Sequence, residues 1–509
     1  MPTAGSDVTV RPRQVQVAVS RKPLPTLSVD ALVVGLPSGE KRMPEALATL
    51  DHRVDGLIRA VLDAEKFSAK AGAVTHLHVG DRLASPRLVV VGLGARREIT
   101  AETVRRAAAA GLRRARDLGA RSVGLELLGD RLSPRQRAHA LTEGAVLGTY
   151  VFERYKREPS ERFVEQVQIV PADGRSAREV AEGVRTGQTF ARATWFARDL
   201  INAPANEVHP THLAEVAASI AQEARLSLKI YDRPECEKLG MGAFLGVAAG
   251  SQQPPKFIHL TYRGPGRPTR RIAIVGKGIT FDAGGLDLKT ADGMLRMKND
   301  MSGAAAVLAT LRALPSLKPR VEVHGLIAAT ENMPSGTAFR PGDVLRAMNG
   351  TTIEIGNTDA EGRLTLADAL SYAVQEIKPD EIIDLATLTG ACVVALGPLC
   401  SGLMTNHRGL TNRLLAAAGA SGERVWQLPL LEEYRDHLKS EIADLNNVGP
   451  RGGGAITAGL FLKEFTAGLP WAHFDIAGPA FVEKDGPLTV KGATGVGVRT
   501  LLTYLMGYR

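Results

Sequence analysis

The run Arg271-Ile-Ala-Ile-Val-Gly276 is apolar from its second residue onward and ends abruptly in a Gly-Lys-Gly turn. A strand of this kind cannot face water on either side, so it demands a sheet covered on both faces. It is one of a series. Short apolar runs at 29–36 and 87–93, and again at 228–231, 257–262, 321–328, 352–355, 381–386 and 472–476, read as strands. Stretches with helical periodicity separate them, at 101–118, 134–155, 176–201, 302–314, 365–376 and 456–467. Strands alternating with helices specify α/β architecture with mainly parallel sheets.

At 509 residues the chain exceeds what one core ordinarily serves. The turn-forming Pro171-Ala-Asp-Gly174 places a boundary near residue 172. We therefore expect a small N-terminal α/β domain over 1–172, with a strand near 163–170. A larger C-terminal α/β domain with a mainly parallel central sheet then spans 173–509. Within such sheets, function gathers in the loops at the carboxyl ends of the strands.

Composition removes several classes. No uninterrupted apolar stretch is long enough to cross a membrane, and the first thirteen residues lack the apolar segment of a secretory signal. The three cysteines, Cys236, Cys392 and Cys400, form no CxxC pair and are too few for a disulfide framework, which suits a reducing cytosol. The net charge is +9, and about +8 of it lies in residues 1–190. Much of that excess is arginine in the 101–118 stretch (Arg105, Arg106, Arg113, Arg114, Arg116). It reads as a solvated helix face, with a patch for nucleic acid or another acidic partner as the alternative.

Two segments concentrate chemistry. In the first, Lys277 closes the 271–276 strand between two glycines, Asp282 follows five residues on, Lys289 comes after Gly284-Gly285, and Asp300 precedes an Ala-rich helix with Ser302 as its expected N-cap. In the second, Gly356-Asn-Thr-Asp-Ala-Glu-Gly-Arg-Leu364, the residues Asp359, Glu361 and Arg363 stand at i, i+2 and i+4. An extended segment would place all three on one face. That trio alone could be a salt bridge, and Asp300 alone a cap-region acid. Hard oxygen ligands from two separate loops also suit a pair of divalent cations, whose mutual repulsion several carboxylates must neutralise. Other chemistries lack their patterns. There is no HExxH, no GxSxG and no P-loop, and Gly92 and Gly94 lack the third glycine of a dinucleotide loop. His209, His212, His324 and His473 are scattered and read as satisfied core or surface histidines.

Asn357-Thr-Asp-Ala-Glu-Gly-Arg-Leu364 resembles, at all eight positions, the signature of the leucyl (cytosol) aminopeptidase family. Val275-Gly-Lys-Gly-Ile-Thr-Phe-Asp282 and Lys298-Asn-Asp-Met301 resemble its other metal-binding segments. So do several further stretches between about 200 and 480, among them Asp384-Leu-Ala-Thr-Leu-Thr-Gly390 and Asp444-Leu-Asn-Asn-Val-Gly449. The resemblance implies a metal-dependent hydrolase that removes the N-terminal residue, leucine by preference, from peptides. It implies two divalent ions, Mn2+ or Zn2+, held by Lys277, Asp282, Asp300, Asp359 and Glu361. Asp282 and Glu361 would bridge the two, and Lys277 would bind as the neutral amine. It also implies an oxyanion contact from Lys289, a bicarbonate general base on Arg363, a cytoplasmic location and a homohexamer. Asp287 and Thr290 depart from the family's usual small polar residue and proline. Asp287 is expected to be able to pair with Lys289.

Overall fold

The computed structural model describes residues 15–40, 42–171 and 176–508. The boundary expected near residue 172 lies outside the described residues. The chain separates into two compact units, one running through Ala191 together with Gly486–Val490, the other comprising Arg192–Asp485 and Lys491 onward. The division falls within the long helix Ala177–Asn202.

The first unit holds a six-stranded sheet of β1 (Gln16–Val19), β2 (Ala31–Ser38), β3 (Val74–His78), β4 (Arg87–Ala95), β5 (Ser122–Glu126) and β6 (Gln166–Val170), in the order β1-β6-β5-β2-β4-β3. All neighbours are parallel except β3 with β4. The strands β2 and β4 carry Leu32, Val33 and Val34, and Leu88, Val89, Val90 and Val91, all fully buried, as unbroken apolar runs require. The expected helix over 134–155 stops at Gly148, where Thr149 Oγ1 lies 3.0 Å from Ala145 O and 2.9 Å from Val146 O and so bonds back to the last turn.

Of the five arginines of helix Ala101–Asp117, Arg105 is buried and the other four are half-buried, and each has a partner within the fold. Arg105 is buried and paired with Glu143 and Glu102, Arg106 with Glu102, and Arg116 with Asp117. Arg113 donates to the carbonyls of Gly148, Gly486 and Thr489, and Arg114 lies 3.0 Å from His76 Nδ1.

The second unit is built on an eight-stranded sheet. Its strands are β7 (Ser227–Tyr231), β8 (Lys256–Arg263), β9 (Arg271–Asp282), β10 (Glu322–Asn332), β13 (Glu381–Ala386), β14 (Ser401–Thr405), β15 (Val425–Gln427) and β17 (Trp471–Asp475). The spatial order is β15-β14-β17-β13-β9-β10-β8-β7, and the central four, β17, β13, β9 and β10, are mutually parallel. The 352–355 run does not join this sheet. As β12 (Thr352–Glu354) it pairs with β11 (Val344–Arg346) and β16 (Leu445–Asn446) in a separate small sheet. Helix Ser302–Leu317 packs on β9, and so does helix Gly362–Tyr372. Leu364, Leu366 and Leu370 of the latter share one core with Ala273, Val275, Leu326 and Ile382 of the strands. Both helices therefore start where the parallel strands end, at the carboxyl edge of the sheet.

Candidate active site

Four parallel strands deliver polar groups to one edge. Asp282 is the last residue of β9, Asn332 the last of β10, Asp475 the last of β17, and Thr387 follows β13. A register irregularity between Thr330 and Asn332 sets Asn332 opposite Asp282. The Asn332 amide then donates to Asp282 Oδ1 at 2.9 Å and to Thr358 O at 3.0 Å. Asp300 caps a 3-10 turn, Met297–Asn299, ahead of helix Ser302–Leu317, and its Oδ1 accepts from Thr387 Oγ1 at 2.6 Å. Ser302 is inside that helix rather than its N-cap, because its hydroxyl donates to Asn299 O at 2.5 Å and Met301 takes the cap position.

The 357–363 segment is not extended. Asp359 sits in a turn, Glu361 is the N-cap of helix Gly362–Tyr372, and Arg363 lies in its first turn. Convergence comes from the bend, not from strand alternation. Asp282, Asp359 and Glu361 each present an oxygen such that all three lie within 4.8 Å of one another. Lys277 enters from the strand: its Nζ is 2.8 Å from Asp300 Oδ2, 2.8 Å from Glu361 Oε1 and 3.0 Å from Thr387 O. Gly362 makes room for it, since a Cβ there would sit 2.5 Å from Lys277 Nζ and 2.6 Å from its Cε. Lys289 Nζ is 2.9 Å from Asp282 Oδ2 and also pairs with Asp359.

Electrostatics follow from burial. Burial raises the pKa of Asp300, Glu361 and Asp359, with neighbouring carboxylates adding to the rise and the lysines opposing it. For Lys277 and Lys289 burial acts downward, but the surrounding carboxylates outweigh it and hold both as cations. Asp300 Oδ2 and Glu361 Oε1 are thus ion-paired with Lys277, and Asp359 Oδ1 with Lys289. A cluster of hard oxygens from separate loops, with Asp282, Asp359 and Glu361 converging on one point, fits divalent cations. Arg363 donates from Nη1 to Asn447 O at 2.6 Å, but its buried Nε has no hydrogen bond. Burial lowers its pKa to about 10 against the pull of Glu361 and Asp475. A buried guanidinium with a free N–H fits a small anion.

Comparison with known proteins is consistent along the whole chain. The cytosol aminopeptidase family's catalytic domain matches residues 195–502, and its N-terminal domain matches residues 33–159. The chain belongs to the cytosol aminopeptidase family. It is similar to a probable cytosol aminopeptidase of Synechococcus sp., at 47% identity over 506 residues, covering 97% of this chain and 98% of the relative. Its counterpart in Nostoc punctiforme is 45% identical, covering 96% and 98%. Among solved structures, a mutant of tomato leucine aminopeptidase superimposes with a TM-score of 0.88 at 37% identity, covering 98% of this chain and 97% of that one. The bottromycin maturation enzyme BotP in complex with Mn does so with 0.84 at 37% identity, covering 94% and 99%. The protein is thus an aminopeptidase of a metal-dependent family that acts on peptides, and none of its described helices is long and apolar enough to cross a membrane.

The aminopeptidase brings together all seven site residues read from the sequence. Asn332, Thr387 and Asn447, to which that reading assigned no role, hydrogen-bond to the segments that carry them. The last accepts from the Gly356 amide through Oδ1 at 2.8 Å and donates to Asn357 O at 2.7 Å. Asn332 is the last residue of its strand, but Thr330 and Glu331 separate it from the apolar run that closes at Ala329, so no sequence signal singled it out. Asp287 does not pair with Lys289. Its Oδ2 accepts from the Thr358 amide at 2.7 Å instead. Thr290 caps the short turn Ala291–Met294, accepting from Gly293 N at 3.4 Å. Of the histidines, His209 caps helix Pro210–Ala224 through Nδ1, with His212 N 3.4 Å away. His324 is bonded to His259 and Glu322. His473 corrects the expectation of full satisfaction, since Nδ1 meets Asp384 at 2.5 Å while buried Nε2 has no hydrogen bond.

Proposed function

We propose that this aminopeptidase removes N-terminal residues, leucine among the preferred ones, with two divalent cations, Mn2+ or Zn2+, held by Lys277, Asp282, Asp300, Asp359 and Glu361. The observation that carries this is the convergence of oxygens from Asp282, Asp359 and Glu361 to within 4.8 Å of one another, at the carboxyl edge of a parallel sheet. Asp282 and Glu361 each act electrostatically on both lysines and would be the carboxylates that serve both cations. Bound cations there supply a charge for the substrate's free α-amine, polarise the scissile carbonyl and lower the pKa of an attacking water.

The chain's own groups do the rest. Lys277 would hold a cation as the neutral amine, its positive charge among Asp300, Glu361 and Asp282 then being supplied by the metal. Lys289 keeps its proton, and its ammonium, 17% exposed, can face the developing oxyanion from the solvent side. Arg363 would hold bicarbonate at its free Nε, which supplies a general base in place of a side chain. The protein is assigned to the cytoplasm, where its cysteines stay reduced, and to a homohexamer, both on family resemblance.

Hydrolysis of leucine p-nitroanilide by metal-stripped protein, before and after Mn2+ or Zn2+ is restored, tests the reading with Asp359→Ala alongside. Activity that returns with metal in the wild type and not in the variant supports it. A folded protein inactive with every metal overturns it.

A further inference from the structure

Resting on the reading just given, we propose that Asp287 is a positioning residue: its carboxylate clamps the loop that carries Lys289 onto the turn that carries Asp359. The loop begins after β9 with Gly284 and Gly285, both in the left-handed region at φ +90° and +66°. It closes on itself through Lys289 N donating to Ala283 O at 3.0 Å. It lies against the 357–361 turn with no space between them. A Cβ on Gly284 would sit 2.9 Å from Asp359 Oδ1, and one on Gly285 would sit 3.0 Å from Thr358 Oγ1.

Asp287 and Thr358 join the two segments in both directions. The Asp287 amide donates to Thr358 Oγ1 at 2.8 Å, and the Thr358 amide donates to Asp287 Oδ2 at 2.7 Å. Thr358 Oγ1 is 2.7 Å from Gly284 O and 3.1 Å from Asp287 Oδ2, so its single proton is shared between them. Thr358 itself is fully buried. Its neighbour in sequence is Asp359, and Lys289 is two residues beyond Asp287. One carboxylate oxygen therefore fixes the distance between the lysine and the acid it pairs with. Without it the Thr358 amide loses a charge-assisted partner, and both loops gain freedom at the point where sub-ångström placement governs rate. Asp287 touches neither substrate nor metal in this scheme, and its effect passes through Lys289 and Asp359.

The test compares Asp287→Ala with Asp287→Asn. The asparagine keeps an acceptor oxygen at the same reach and the alanine does not. With leucine p-nitroanilide and saturating Mn2+, Asp287→Ala should lower kcat by on the order of tenfold, with KM and bound manganese per chain within about twofold of wild type. Asp287→Asn should retain most of the rate. Hydrogen exchange of the metal-stripped proteins reads the clamp without catalysis: segments 284–290 and 356–361 should both exchange faster in the alanine variant alone. A kcat for Asp287→Ala equal to wild type, failure of asparagine to rescue, or unchanged exchange in those segments overturns the proposal. If the wild type proves inactive with every metal, the function reading fails, and the exchange result still decides the clamp.

Discussion

Lys277→Met in metal-stripped protein isolates the energetics of the site. Methionine preserves most of the length and the apolar stem that passes Gly362, but removes the ammonium that touches Asp300 Oδ2 at 2.8 Å, Glu361 Oε1 at 2.8 Å and Thr387 O at 3.0 Å. Lys277, Asp300 and Glu361 are all almost wholly buried, at 4%, 3% and 1% exposure, so water cannot replace the lost cation. Breaking one partner out of a buried ion pair costs about 3–5 kcal/mol, which for a unit of this size lowers the melting temperature by on the order of 5–10 °C. The cost depends on pH in a definite direction. Burial already raises the pKa of Asp300 and Glu361, and loss of Lys277 raises both further. A carboxyl whose folded pKa lies above its unfolded value favours the fold while protonated, and that contribution disappears as pH rises through the folded value. The gap between variant and wild type should therefore be widest near about pH 8 and shrink toward about pH 5. Thermal unfolding of the chelator-treated proteins at both pH values measures this. A variant that melts with the wild type near pH 8, or a gap that is the same at both, would refute the argument that Lys277 is the counter-ion of this carboxylate cluster.

Lys289→Met should lower kcat by roughly 100-fold or more, the magnitude of losing one oxyanion donor, while manganese content by elemental analysis stays at the wild-type value. Asp368, buried in helix Gly362–Tyr372, accepts from Phe244 N at 2.8 Å and Met348 N at 2.7 Å, and burial pushes its pKa up to about 7. Wild-type stability should accordingly decline as pH rises from about 4 through 7. Asp368→Asn should lack that part of the decline and be less stable by about 1–3 kcal/mol at low pH, because one amide oxygen cannot serve both N–H groups. Urea titrations across that range check both.

The legible part of this protein was its rhythm. Unbroken Val/Ile/Leu runs such as 87–93 and 271–276 have one solution, a sheet covered on both faces, and Asp282 marks the strand end where parallel sheets place function. Lys277, read as that end, lies inside the strand Arg271–Asp282, because the glycines beside it continue the ladder with β10 instead of turning. Short strands such as Gln16–Val19 and Ser401–Thr405 were not legible, since four or five residues with little periodicity look like loop until a partner strand pairs them. Arg105 of helix Ala101–Asp117, read with its neighbours as part of a solvated face, is buried for a related reason. Charge counts along a sequence cannot register that Glu143, thirty-eight residues from Arg105, returns to neutralise it inside the fold.

Within the active site, residue type was decided locally and geometry was not. Lysines, aspartates and a glutamate set among glycines already declare a cluster that must be charged and crowded, because only glycine admits the close approaches seen at Gly284 and Gly362. Asp359, Glu361 and Arg363 converge through a turn and a helix start rather than along a strand, and Asp287 serves Thr358 instead of Lys289. Those outcomes depend on contacts between segments about 70 residues apart, such as Asp287 with Thr358. Spacing along one segment carries information about its own period only. Which loop a carboxylate meets is settled when four parallel strands bring their ends to one edge, and the buried amides there take whichever acceptor lies within reach.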